Sequence, residues 1–186
     1  MTIATTNLLQ NLIERTHQNL NEAEKYYQLS IELLNYKPHL DSWSILECLE
    51  HLNLYGDFYL REIEQQMKNS RKAPSSHFKP GLLGNYFAKL MLPQEGMKKM
   101  KTFKDKNPIN SRLDKNTIER FINQQQQTLE LLNIAKTKNL NNVKTGITIS
   151  RWIRLKLGDT FRVVVYHNDR HIAQCNAILN NKKSLN

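Results

Sequence analysis

The feature that most constrains this chain is a stripe of mainly apolar side chains at alternating spacings of three and four residues. Leu9, Ile13, Thr16, Leu20, Ala23, Tyr27, Ser30 and Leu34 keep that rhythm without interruption. Such spacing puts one side of an amphipathic helix against a core. The spacing predicts a helix over 9–34, ended by Pro38 because the residue before a proline is pushed out of the helical region. A second helix is predicted from Ser44 to about Lys68, with Ile45, Leu49, Leu52, Gly56, Tyr59 and Ile63 as its stripe. Ser44 and Glu47 have the spacing of a capping box. A third covers about 114–137 through Ile118, Ile122, Gln125, Leu129 and Leu132. Residues 138–150 read as a linker. The fourth helix runs to about Asn181, capped by Asp159 or Thr160. Its start at Phe161–Val165 is β-like in composition but is read as helix because no partner strand is evident. Four such stripes predict an all-α four-helix bundle.

Residues 70–113 interrupt this pattern. Pro74, Pro80, Gly81, Gly84, Pro93, Gly96 and Pro108 break any long periodicity, leaving room for one short helix over Leu82–Leu92. A connection this long is expected to be an insertion with a local task or a lid. It is also basic. Residues 68–115 hold twelve lysines and arginines against three acids, so they carry most of the chain's net charge of +10. That charge suits an anionic ligand; with sparse aromatics and no reading motif, nucleic acid is not an expected partner.

The length of 186 residues predicts a single domain over 1–186. Two cysteines, Cys48 and Cys175, do not make a disulfide framework, and the expected location is a reducing cytoplasm. No apolar run approaches the ~20 residues of a membrane span, so no membrane partner is expected. The first thirty residues show no secretory pattern.

Six histidines occur, and three stand out. His167 and His171 are four apart, which places both rings on one helical face. His51 lies mid-way along the second helix between core positions Leu49 and Leu52. Three imidazoles suit Zn²⁺, Ni²⁺, Cu²⁺ or Fe²⁺. Each half of the set has a plainer reading: a polar surface pair for the two on one helix, a hydrogen-bonded core residue for His51. Glu47, Tyr55 and Gln174 stand three or four residues from a histidine and are candidates to orient its ring. For Glu47 the capping box is the preferred role. Asp169 is expected in solvent, Arg170 on the surface or in an ion pair, Trp43 at the bundle end and Trp152 near the last linker. Cys175, four after His171, reads as a small buried residue rather than a fourth ligand.

Two stretches carry a family resemblance. Trp43-Ser44-Ile-Leu-Glu47-Cys-Leu-Glu-His51-Leu52 resembles the W-S-x-x-E-x-x-x-H-L helix of the DinB-like family, which includes the YfiT-type proteins. His167-Asn-Asp-Arg170-His171-Ile-Ala-Gln174 resembles that family's H-x-x-R-H-x-x-Q helix. The resemblance implies a DinB/YfiT-type four-helix bundle with a long basic insertion between helices 2 and 3. It implies a divalent metal, nickel or zinc, held by His51, His167 and His171, and a homodimer. It further implies a thiol S-transferase acting on a small-molecule substrate, with a low-molecular-weight thiol such as bacillithiol as co-substrate. The alternatives are a metal-dependent hydrolase using a metal-bound hydroxide and a non-enzymatic, metal-binding stress-related protein. Three neutral imidazoles leave the ion its charge and an open position, which serves either chemistry.

Overall fold

A computed structural model describes residues 2–93 and 101–183. Glu95, Gly96, Lys98 and Lys99 of the basic segment lie outside the described residues. The chain is mostly helical. A short strand β1 (Ile3–Ala4) leads into α1 (Thr5–Tyr27), followed by a single-turn α2 (Ile31–Leu34) and then α3 (Ile45–Lys68). Strand β2 (His77–Phe78) pairs antiparallel with β1. Next come α4 (Leu82–Met91), a 3₁₀ turn (Lys104–Lys106) and α5 (Asn116–Ala135). A hairpin of β3 (Lys144–Ile147) and β4 (Ser150–Lys156) precedes α6 (Leu157–Lys183). Helices α1 and α3 each pack against both α5 and α6. No helix among the described residues is long and apolar enough to cross a membrane.

The second helix follows its stripe closely. Ile45, Leu49, Leu52, Gly56, Tyr59 and Ile63 are all buried. Both halves of the capping box form: Ser44 Oγ accepts from the Glu47 N–H, and a Glu47 oxygen accepts from the Ser44 N–H.

The first stripe needs two corrections. The buried residues of α1 are Thr5, Leu8, Leu9, Leu12, Thr16, Asn19, Ala23 and Tyr26, so the covered face is turned by about one residue from Ile13, Leu20 and Tyr27. The cause is that the covered face of α1 includes two polar residues: Thr16, which donates to the Leu12 carbonyl, and Asn19, which donates to Asp169, so apolar spacing alone does not locate it. Nor does the helix run to residue 34. It stops at Tyr27, and Ser30 starts the new turn α2 by accepting from the Leu33 N–H through its side chain.

The largest correction falls on residues 138–156. The expected linker contains β3, which pairs with β4 in the register Lys144↔Lys156, Thr145↔Leu155, Gly146↔Arg154 and Ile147↔Ser150. Ile153 and Leu155 turn inward while Trp152 and Arg154 are exposed, the alternation of a strand with one covered face. Trp152 is therefore in solvent, 83% exposed, and packs no linker. Helix α6 begins at Leu157, ahead of both expected caps. Asp159 is instead fully buried inside its first turn, where it accepts from the Gly81 N–H at 2.8 Å and from Arg162 at 3.1 Å. Gly81 is the residue preceding α4, so this carboxylate fastens α4 to α6.

Candidate metal centre

Helix α3 supplies His51, and α6 supplies His167 and His171 one turn apart. The structure brings the three together. Their candidate donor atoms all lie within 4.8 Å of one another. His167 Nε2 is 3.2 Å from His51 Nε2 and 3.1 Å from His171 Nε2. The ring centroids are 4.7–5.0 Å apart, and the planes are steeply inclined.

The outer nitrogens decide which way the protons lie. His51 Nδ1 is 2.7 Å from the carbonyl oxygen of Lys106, which can only accept, so Nδ1 donates. His171 Nδ1 donates in the same way to Gln174 Oε1 at 2.9 Å. A neutral imidazole with its hydrogen on Nδ1 has its lone pair on Nε2. Two lone pairs therefore converge beside the third ring, an arrangement that a cation relieves and that an apolar filling would not.

Burial keeps these rings neutral. It pushes His51 down to about 4, opposed by the hydrogen bond to Lys106. It pushes His171 down to about 3, with His51 adding to the shift. His167 is held well below the ordinary range by burial and then by its two imidazole neighbours. Neutral imidazole is the form that binds metal. For a four-coordinate ion with bonds of 2.0–2.1 Å, neighbouring donors stand about 3.3 Å apart. The two separations of 3.2 and 3.1 Å and the all-imidazole donor set fit such an ion.

The surroundings differ from several expectations. Gln174 is hydrogen-bonded to the His171 ring. Tyr55 stands edge-on to both His51 and His167 with centroids 5.0 Å away. Burial raises its phenol to about 12. Glu47 touches no imidazole through a hydrogen bond; its oxygens take the Ser44 N–H, the Asn110 N–H and Lys37 Nζ. It ties residue 110 of the long connection to the start of α3.

Trp43 is not merely packing at the bundle end. Its ring lies 4.7 Å from His51 and 5.7 Å from His171, and its Nε1 donates to Asn107. Asp169 is not solvated: it accepts from Arg15 at 2.6 Å and from Asn19 at 2.8 Å, clamping α1 onto α6 directly behind the histidine pair. Cys175 is fully buried with Sγ turned toward the Ile45 carbonyl, as a small core residue should be. Sequence reasoning missed the Lys106 carbonyl altogether, since every residue type carries that group. The Trp43 indole had a usable signal, standing eight residues before His51, about two turns along the same chain.

The histidines open into a cavity of about 1040 Å³. Lys101 and the half-buried Arg170 are cations in its wall.

The family model described as the DinB superfamily matches residues 12–175, from the first turns of α1 to beyond the histidine pair. The chain belongs to the DinB superfamily. No curated protein and no solved structure matches it. In this DinB superfamily member all three histidines and their partners Gln174 and Lys106 fall inside the matched span.

Proposed function

We propose that the protein is a metal-dependent thiol S-transferase whose divalent ion, nickel or zinc, is held by His51, His167 and His171. The observation that carries this reading is the pair of lone pairs fixed toward one point by Lys106 and Gln174. A divalent ion there supplies positive charge that lowers the pKa of a thiol or of water at its open side. The chain's own groups do the rest. Lys106 and Gln174 hold two rings in the binding tautomer. Trp43 and Tyr55 wall the centre. Lys101 and Arg170 attract an anionic low-molecular-weight thiol such as bacillithiol. The Tyr55 phenol, raised to about 12, stays protonated at neutral pH and acts as a donor rather than a base.

With a halogenated acceptor, a sulfur–carbon bond forms and the carbon–halogen bond breaks. The halide leaves with the electron pair, and the thiol proton passes to solvent. Transfer is preferred to hydrolysis because the adjoining cavity is lined mainly by apolar side chains, which suit an organic acceptor.

The proposal extends to the whole chain. The packing of α1 and α3 on both α5 and α6 supports a four-helix bundle with a long basic insertion between its second and third members, in a single domain. A homodimer is part of the same family reading. Two free, buried cysteines agree with a reducing cytoplasm.

The test is metal analysis of the purified protein followed by assay with bacillithiol and monochlorobimane. Stoichiometric metal with thiol-dependent conjugation is expected. Full metal with no turnover for any thiol removes the transferase reading.

A further inference from the structure

The cavity extends well past the histidines, and its far part is built by elements that the bundle stripes did not foretell. On α3 it runs from His51 to Tyr59. That is eight residues, about 12 Å of helix at 1.5 Å per residue. On α6 it runs back from His167 to Val163 and Val164. There Phe87 of α4 and Ile147 and Leu155 of the hairpin close the end. Tyr59, Ile147, Leu155 and Val164 form one buried apolar cluster, with Phe87 and Val163 packed against it.

Beyond Tyr55, the main polar side chains of this part are engaged with one another or with the backbone. Tyr59 Oη is 3.4 Å from Thr148 Oγ1. Gln125 accepts from Asn168. Gln124 donates to the Asn53 carbonyl and to Asp57. Thr128 donates to the Gln124 carbonyl. Past Tyr55, whose ring stands beside the histidines, a ligand meets mainly hydrocarbon and aromatic faces. Among the described residues, the charged lining residues Asp41, Lys101 and Arg170 belong to other segments of the wall.

We infer that this chamber binds an apolar molecule reaching about 12 Å from the histidines, and that such a molecule is the acceptor substrate of the centre. Its role as acceptor rests on the transferase reading; its occupancy by apolar ligands does not. The class is an organic electrophile with an extended alkyl or aryl body, its reactive carbon held at the histidine end and its body buried between α3, α4, α6 and the hairpin. A small polar electrophile would leave the chamber unfilled and bind through its reactive end alone.

Linear 1-alkanols from butanol to undecanol serve as the probe, titrated by calorimetry into the full-length protein, both metal-free and zinc-loaded. Affinity is expected to tighten about three- to fourfold with each added methylene. It should level off once the chain exceeds the chamber length of about 12 Å. Val163→Trp fills the chamber and should weaken the longest alkanol by tenfold or more while zinc still binds. Phe87→Ala opens the end wall and should weaken long alkanols while leaving butanol unchanged. Far-UV dichroism and melting curves verify that each variant is folded, and Phe87→Ala carries the test if Val163→Trp is not. Affinity independent of chain length, or unaffected by a folded variant, overturns the inference. A length dependence without thiol transfer sustains the chamber and removes the transferase. Transfer to small polar electrophiles without a length dependence does the reverse.

Discussion

Gln174 lies one helical turn beyond His171 and takes the hydrogen of its Nδ1 at 2.9 Å. That bond selects the tautomer with a free Nε2, so Gln174 would act on a metal held by the three histidines without reaching it. Gln174→Ala should lower zinc affinity by about 10- to 100-fold, the range for losing such a supporting partner. Gln174→Glu keeps an acceptor on Nδ1 and should restore most of it. Competition with a chromogenic chelator measures both. Equal affinities in Gln174→Ala and the unaltered protein would show that the ring needs no such hold.

Metal should stabilise the fold. The ion would join α3 to α6 at a point where the unfolded chain holds no site. At free metal a thousand times its Kd the expected gain is about 4 kcal/mol. Thermal melting with zinc or nickel against chelator should therefore show a rise of several degrees in Tm. His167→Ala combined with His171→Ala should abolish that rise. A melting temperature indifferent to both metals would remove the centre from the account of this protein.

The extent to which the chain discloses itself follows from where each signal resides. The α3 stripe was legible because one continuous face is covered, and the capping box because Ser44 and Glu47 are local partners. The histidines were legible because four-residue spacing fixes two rings on α6. The face of α1 was offset, since its buried Asn19 is polar and is held there by Asp169, a pairing that apolar spacing does not report. The hairpin was missed although Trp152, Ile153, Arg154 and Leu155 alternate. Its partner strand is four residues long and contains Gly146, so it has little pattern of its own. Asp169 depends on Arg15 and Asn19, about 150 residues away, and no local rule reports such a pairing.

Acidification should weaken the metal-free protein over a definite window. A histidine in the unfolded chain titrates near 6.5. In the fold, His51 is pushed down to about 4 and His171 to about 3, with His167 moved in the same direction. Below 6.5 the unfolded chain therefore binds protons that the folded chain refuses, and stability falls with pH. The loss approaches about 1.4 kcal/mol per pH unit for each such ring. Above 6.5 these rings contribute no slope. Urea denaturation in chelator at pH 7.5, 6.0 and 5.0 measures it. The triple variant with alanine at 51, 167 and 171 should lose this part of the slope, and an unchanged slope would place the protonation elsewhere.

Asp159 tests how α4 is held at the end of the chamber. Its carboxylate is fully buried and accepts from the Gly81 N–H and from Arg162, whose own side chain is 8% exposed. Asp159→Ala leaves a guanidinium in a poorly solvated place and releases the residue that precedes α4. Breaking one half of a buried pair costs about 3–5 kcal/mol, so a clear drop in the urea midpoint is expected. The loss should also be local. With α4 unfastened, limited proteolysis should cut first between residues 79 and 91, while zinc affinity changes little because no ligand lies on α4. Asp159→Asn keeps an acceptor for the Gly81 N–H and should protect that segment better than alanine does. Cleavage in the two variants at the same rate would mean that packing against α6, rather than the Asp159–Gly81 bond, holds α4 in place.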